Sequence, residues 1–271
     1  MDTVGRYEIK PFIKYRKVVA DTVELASKKH QMKGNMEIDV TLAREKLRRY
    51  KERTGEPQSF TAWFVKCVAQ AVSENREIHG MRKGRKIILF EDVDILILVE
   101  TTMSENQVAL PYVVRQADRK SCREIHTEIR AAQKHTVQDS AVMIGRELSF
   151  MKLYPDIPKT LRMLVGRIIT ANPFRVKART GTVSVSAIGM MGKVNGWISP
   201  ISPLPLSFAV CSITKKPGVV EGRIEIREVL NIAFAADHDL IDGAQLVRFL
   251  ARLNDLLEQG FDLELLDQPV G

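Results

Sequence analysis

In "FAADHDLIDGAQ" (234–245) an apolar, strand-like run ends at Asp237 and His238. Four residues after the histidine come Asp242 and Gly243, and a helical pattern begins. An imidazole accepts and returns a proton near neutral pH, as a general base must. A strand end, a glycine that permits a sharp or close-packed turn, and a helix behind would hold His238 on rigid elements. The plain alternative is a turn histidine, followed by an aspartate that only caps the next helix. The other histidines lack this setting. His30, His126 and His135 lie in or beside polar helical stretches and His79 in a charged loop, so all four read as surface residues.

The rest of the composition narrows the field. Cys67, Cys122 and Cys211 are far apart, and no CxxC or Cys/His cluster has metal-ligand spacing, so the expectation is no metal, reduced thiols and a cytoplasmic protein. No apolar run is long enough to span a bilayer, and "MDTVGRYEIKPF" lacks the apolar core of a signal peptide. The formal charge is +8, which favours anionic partners such as a phosphorylated cofactor. The densest basic cluster, "RKGRK" (82–86), has no interleaved aromatic residues, so a solvated basic face is expected rather than a nucleic-acid site.

The elements that would position His238 alternate between helix and strand. Residues 12–30 place Ile13, Val18, Val19, Val23 and Leu25 on roughly one helical face. "NMEIDV" reads as a strand and "TLAREKLRRYKER" as a charged surface helix. Ser59 is placed to cap a helix with the stripe Phe64, Cys67, Val68, Ala71 and Val72. "KIILF" and "DILILVE" read as buried strands, and Pro111 marks "QVALPYVV" as an edge or an irregularity. Ser121 and Glu124 form a capping box. "TVSVSAIGM", "LSFAVCSI", "RIEI" and "LNIAFAAD" are late strands, and Leu246, Phe249, Leu250, Leu253 and Leu257 stripe a last helix that stops at Gly260. Neither GxGxxG nor GxxxxGK[ST] is present. The fold class expected is α/β: a two-layer sandwich, a mixed β-sheet flanked by helices, in a single domain over 1–271 with an inserted helical segment at 148–180.

At this point the sequence resembles a family. "DHDLIDGA" is similar to the D-H-R-x-x-D-G signature of the acyltransferase catalytic domain of 2-oxo acid dehydrogenase complexes, and to the H-x-x-x-D-G of the related chloramphenicol acetyltransferases. "GTVSVSAIGMMG" resembles the family's G-T-F-T-I-S-N-L-G, and "ILVETTMSENQVALPYVVRQADRKS" its segment ending V-P-V-I-R-x-A-D-x-K-S. The likeness runs in order along nearly the whole chain. It implies a chloramphenicol acetyltransferase-like fold, a homotrimer or larger assembly with active sites between subunits, and acyl transfer between coenzyme A and a thiol or hydroxyl acceptor. On that resemblance His238 is the base and Ser186 the oxyanion donor, with Ser184 the competitor if the register slips. Asp242 organises the histidine loop, paired with Arg16, and Gly243 supports it.

Three departures stand out. Asp239 occupies the position where the dehydrogenase enzymes usually carry arginine, and it would raise the pKa of His238 if the two lie close. No lipoyl-bearing segment or subunit-binding domain is legible, so the acceptor is expected to be free or carried on a separate lipoyl-bearing or acyl-carrier protein. Residues 148–180, with Leu161, Met163, Leu164, Val165, Ile168 and Ile169, read as an extra helix on the core or as an apolar lid or membrane-surface element for long acyl chains. The alternatives to a dihydrolipoamide-type transferase are an inactive trimeric scaffold and an acetyltransferase for a small hydroxyl compound.

Overall fold

A six-stranded mixed sheet, in the order β1-β8-β7-β6-β4-β5, organises the molecule. The structure is a computed structural model that describes residues 4–12, 14–103, 106–134, 156–189 and 195–264. Along the chain come α1 (Lys14–Ala26), β1 (Gln31–Asp39), α2 (Thr41–Thr54), α3 (Phe60–Glu74) and a short 3-10 turn (Arg76–His79). Then follow β2 (Met81–Lys83), β3 (Lys86–Ile88), β4 (Ile95–Met103), β5 (Asn106–Val114) and α4 (Cys122–Lys134). The last part holds α5 (Lys159–Thr170), α6 (Pro173–Thr180), β6 (Val183–Ala187), β7 (Leu206–Val220), β8 (Arg223–Asp237) and α7 (Gly243–Glu258). β6 runs parallel to both β4 and β7, while the remaining pairs are antiparallel.

The two faces of the sheet differ because side chains alternate along a strand. One face carries Ile38, Ile95, Val183, Val185, Leu206, Phe208, Leu230 and Ile232, packed with α3, α4 and α7 into the main core. The other carries small residues: Ala209, Cys211 and Ala233 form a separate buried cluster with Ile188 against them. Gly189 is required there, since a β-carbon on it would lie 1.2 Å from the carbonyl oxygen of Cys211. The segment after residue 194 crosses this face, with the Trp197 indole N–H donating to the Met36 carbonyl and the Gln31 amide to that of Ser202.

Local signals in the sequence act as expected in several places. The Ser59 hydroxyl accepts from the Ala62 N–H, and Glu124 and Ser121 complete their capping box. β5 is an edge strand, which accommodates Pro111. The five stripe residues of α7 are buried, and Gly260 stops the helix with φ +64°. All three cysteines are buried and free.

Elsewhere the structure corrects the reading. "KIILF" is not a buried strand: only Lys86–Ile88 pairs, in a small separate sheet with β2, and Ile87 is 58% exposed. "RIEI" and "LNIAFAAD" are one continuous strand, joined to β7 by a hairpin turn in which Glu221 and Gly222 both have positive φ. On α1, Val19 and Val23 are partly exposed while Asp21 is buried, because Arg162 of α5 grips it with Nε–Oδ2 at 2.7 Å and Nη2–Oδ1 at 3.3 Å. That ion pair turns α5 so that Arg162 and Met163 face inward and Leu161, Leu164 and Ile168 stay exposed. The earlier part of 148–180 lies outside the described residues. No helix among the described residues is long and apolar enough to cross a membrane.

Candidate active site

β8 places His238 at its C-terminal end, immediately after the buried Asp237. Three contacts clamp the loop to Lys29 and His30, just before β1, and a fourth stiffens it from within. The His238 backbone N–H donates to the His30 carbonyl at 2.7 Å. The Lys29 ammonium meets Asp237 Oδ2 at 2.6 Å. The Asp239 N–H donates to Asp237 Oδ1 at 3.2 Å, and the Asp239 carboxylate meets His30 Nδ1 at 2.9 Å. Beneath them the Asp237 N–H donates to the Pro205 carbonyl, and Ile241 is buried as an anchor. The backbone of His238 is therefore fixed while its side chain remains exposed.

Asp242 acts on this loop through the helix that follows. It is the N-cap of α7: its carboxylate accepts the Gln245 N–H at 2.7 Å, and the Gln245 side chain accepts the Asp242 N–H at 3.1 Å. Gln245 in turn donates to Glu77 at 2.8 Å. Arg16 is not among these partners; it is exposed on α1, and the buried arginine pair of that helix is Asp21 with Arg162. Gly243 is the first residue of α7, outside the positive-φ set, and a β-carbon there would meet nothing within 4 Å. Within one chain, then, no steric need for that glycine exists.

The expected action of Asp239 on His238 is redirected. Asp239 spends its carboxylate on His30, whose pKa is raised chiefly by that hydrogen bond, while the carboxyl of Asp239 is lowered by the same contact. His30, Lys29 and Asp237 are the residues that sequence reading passed over. Only Asp237 had a local signal, its place just before His238. His79 and His126 are likewise not simple surface residues. His79 is fully buried, with Nδ1 2.8 Å from the Thr182 hydroxyl at the start of β6, and burial lowers its pKa to about 4. His126 is half-buried and accepts the Ser59 N–H at 3.0 Å. His135 lies outside the described residues.

Ser186 lies on β6, paired in register with Ala209, on the small-residue face. Its neighbours Val183 and Val185 point into the core. Ser184 shares its face but is committed, with its hydroxyl 2.9 Å from that of Ser207. Among the described residues no hydrogen bond engages the Ser186 hydroxyl. Ser186 and Ala209 are level with Ala233 of β8, five residues before His238 and two strands away. At about 3.3 Å per residue and about 4.8 Å per strand, His238 and Ser186 of one chain stand roughly 19 Å apart. Within one chain the His238 ring and the Ser186 hydroxyl are therefore too far apart to reach a common carbonyl.

Residues 5–142 and 155–265 match the family model of 2-oxoacid dehydrogenases acyltransferase (catalytic domain). The chain belongs to this family. The acyltransferase match leaves out 143–154 and resumes before α5, so α5 and α6 lie within it. Among curated relatives, the chain is 30% identical over 228 residues to the lipoamide acyltransferase component of the branched-chain alpha-keto acid dehydrogenase complex of Bacillus subtilis (strain 168), covering 82% of this chain and 45% of that protein. It is 25% identical over 226 residues to the mitochondrial dihydrolipoyllysine-residue succinyltransferase component of the 2-oxoglutarate dehydrogenase complex of Saccharomyces cerevisiae, covering 82% and 41%. The chain thus spans less than half the length of these relatives. The acyltransferase fold is matched by the solved structure of a probable dihydrolipoamide acetyltransferase from Listeria monocytogenes 4b F2365, with TM-score 0.67, 22% identity, and 96% and 97% of the two chains covered. The cubic core of the pyruvate dehydrogenase multienzyme complex matches with TM-score 0.68, 18% identity, and 95% and 93% covered.

Proposed function

We propose that this chain transfers an acyl group between coenzyme A and a dihydrolipoamide-type thiol, at a site completed by a second copy of the chain. The observation that carries this is the division of the site: His238 is held by its backbone with an exposed ring, while Ser186 is about 19 Å away in the same chain, its hydroxyl without a hydrogen bond among the described residues. In the forward step His238 accepts the proton of the attacking thiol. The sulfur adds to the thioester carbonyl carbon, and the oxyanion that forms is met by the Ser186 hydroxyl of the neighbouring copy. The intermediate collapses with cleavage of the original carbon–sulfur bond, and the leaving thiolate takes the proton back from His238. Asp237, Lys29, His30 and Asp242 orient the loop and touch no reacting atom in this scheme. The assembly is a homotrimer or larger, and the acceptor is a lipoyl group on a separate protein or an acyl-carrier protein. The basic balance of the chain suits the phosphates of coenzyme A.

The test is thiol release from a panel of acyl-coenzyme A compounds with dihydrolipoamide as acceptor, with product measured directly and His238→Ala run alongside. Turnover that falls about a thousandfold in the variant is the expected result. Tight coenzyme A binding without turnover points to a hydroxyl acceptor. Neither binding nor turnover in a folded assembly leaves the scaffold reading.

A further inference from the structure

A cavity of about 770 Å³ opens beside the His238 loop, between α1, α5 and α6. Asp237, Asp239 and Leu240, which flank His238 in the chain, are among its lining residues. Its apolar walls come from Val18 and Leu25 of α1, Val165 and Ile169 of α5, and Val176 of α6. The acids on its wall already have partners: Asp21 is paired with Arg162, Asp237 with Lys29, and Asp239 with the His30 ring. What remains is an apolar interior with Lys28, Arg82 and Arg179 contributing positive charge at its exposed parts. Gly166 lines the same space, where a β-carbon would lie 2.8 Å from Leu25 Cδ1, so the glycine leaves room for that leucine at the α1–α5 contact.

We infer that this cavity is an acyl-chain pocket, and that the substrates of this site are thioesters of extended apolar acyl groups rather than of acetate or a dicarboxylic acid. The inference rests on the transfer reading above and names its substrate class. The volume falls within the range of about 300–1,000 Å³ that encloses a small-molecule ligand. An acetyl group would leave most of it unfilled, and a free carboxylate carried among the apolar walls of α1, α5 and α6 would meet a desolvation cost that a hydrocarbon chain does not. A hydrocarbon chain gains from every methylene it buries there. The cationic exposed parts favour a chain delivered on an anionic carrier.

The experiment is a direct binding titration with S-alkyl coenzyme A thioethers, from S-ethyl to S-decyl, which cannot transfer an acyl group. The expected result is a Kd that falls by about fourfold per added methylene until the cavity is filled. Ile169→Trp and Val176→Trp, each confirmed folded by its unfolding midpoint, should flatten that dependence from two different walls. A wild-type Kd independent of chain length overturns the proposal, with no variant needed. So does a slope that persists unchanged in both tryptophan variants. Because binding is read without turnover, a steep slope with no acyl transfer would refute the transfer reading alone. A flat slope with retained transfer would refute the pocket alone.

Discussion

The two halves of the candidate site are secured by opposite means. The His238 loop is held by contacts at or near the surface: an ion pair between Lys29 and Asp237, another between His30 and Asp239, and a backbone hydrogen bond. The strand bearing Ser186 is held from within, by core-facing valines and by a buried contact between His79 and Thr182 at its start. The first half relies on charges. The second relies on a histidine that must stay neutral. Their pH responses therefore have opposite signs. His30 has a raised pKa in the fold, so its contribution is present below its ordinary value of about 6.5 and is lost as pH rises through the raised value. His79 has a lowered pKa, so its contribution is full above about 6.5 and is lost as pH falls toward about 4.

The sharpest way to test the division is to place its halves on different chains. His238→Ala and Ser186→Ala should each be nearly inactive alone, by about a thousandfold for the first. Co-expressed, the two variants should regain activity, because about a quarter of the interfaces in a random closed assembly would join an intact histidine to an intact serine. Failure to regain any activity in mixed assemblies would place both residues' work in one chain and break the comparison. Next in size, Ser186→Ala should lower kcat by about a hundredfold to a thousandfold. Ser184→Ala should leave kcat near wild type and cost about 1 kcal/mol of stability, since it strands the buried Ser207 hydroxyl.

Acid separates the halves by stability. Denaturant unfolding followed from pH 7 to pH 4 should show a loss of about 3 kcal/mol as the unfolded chain takes up a proton that buried His79 refuses. His79→Gln should remove most of that slope, and an unchanged slope would move its cause elsewhere. The smaller stability effects belong to the loop. Asp237→Ala should cost about 2 kcal/mol, because the Lys29 ammonium and the Asp239 N–H lose their acceptor. Asp242→Ala should cost about 1 kcal/mol, the value of an N-cap. A larger loss from Asp242→Ala than from Asp237→Ala would show that capping, rather than the Lys29–Asp237 pair, dominates the loop.

The same division explains what sequence could reveal. Caps at Ser59 and Ser121, the α7 stripe and the edge proline Pro111 are local patterns, so they were legible. So was the His238–Asp242 spacing, since it lies within one loop. The clamp was not, because Lys29 and Asp237 are 208 positions apart and His30 and Asp239 are 209 apart. His79 sits in a charged stretch, and only Thr182, 103 positions away, explains its burial. Arg16 was singled out by resemblance, yet the charge that matters on α1 is Asp21, fixed by an arginine 141 positions distant. The exposed Leu161, Leu164 and Ile168 show the limit of apolar periodicity: it marked a helix at α5 but not which side faces in.

β8 acts as the ruler of the molecule. It pairs with β1 without interruption from Val229 to Asp237, whereas the irregularity in the β7–β8 pairing occurs between Val210 and Ile213 of β7. A one-residue insertion in β8 would turn every core residue outward and carry His238 off its hydrogen bond to His30. Length variation among descendants of this chain should therefore collect at the Glu221–Gly222 turn and in 143–154, where the family model itself has no counterpart, and should spare the stretch from 229 to 238.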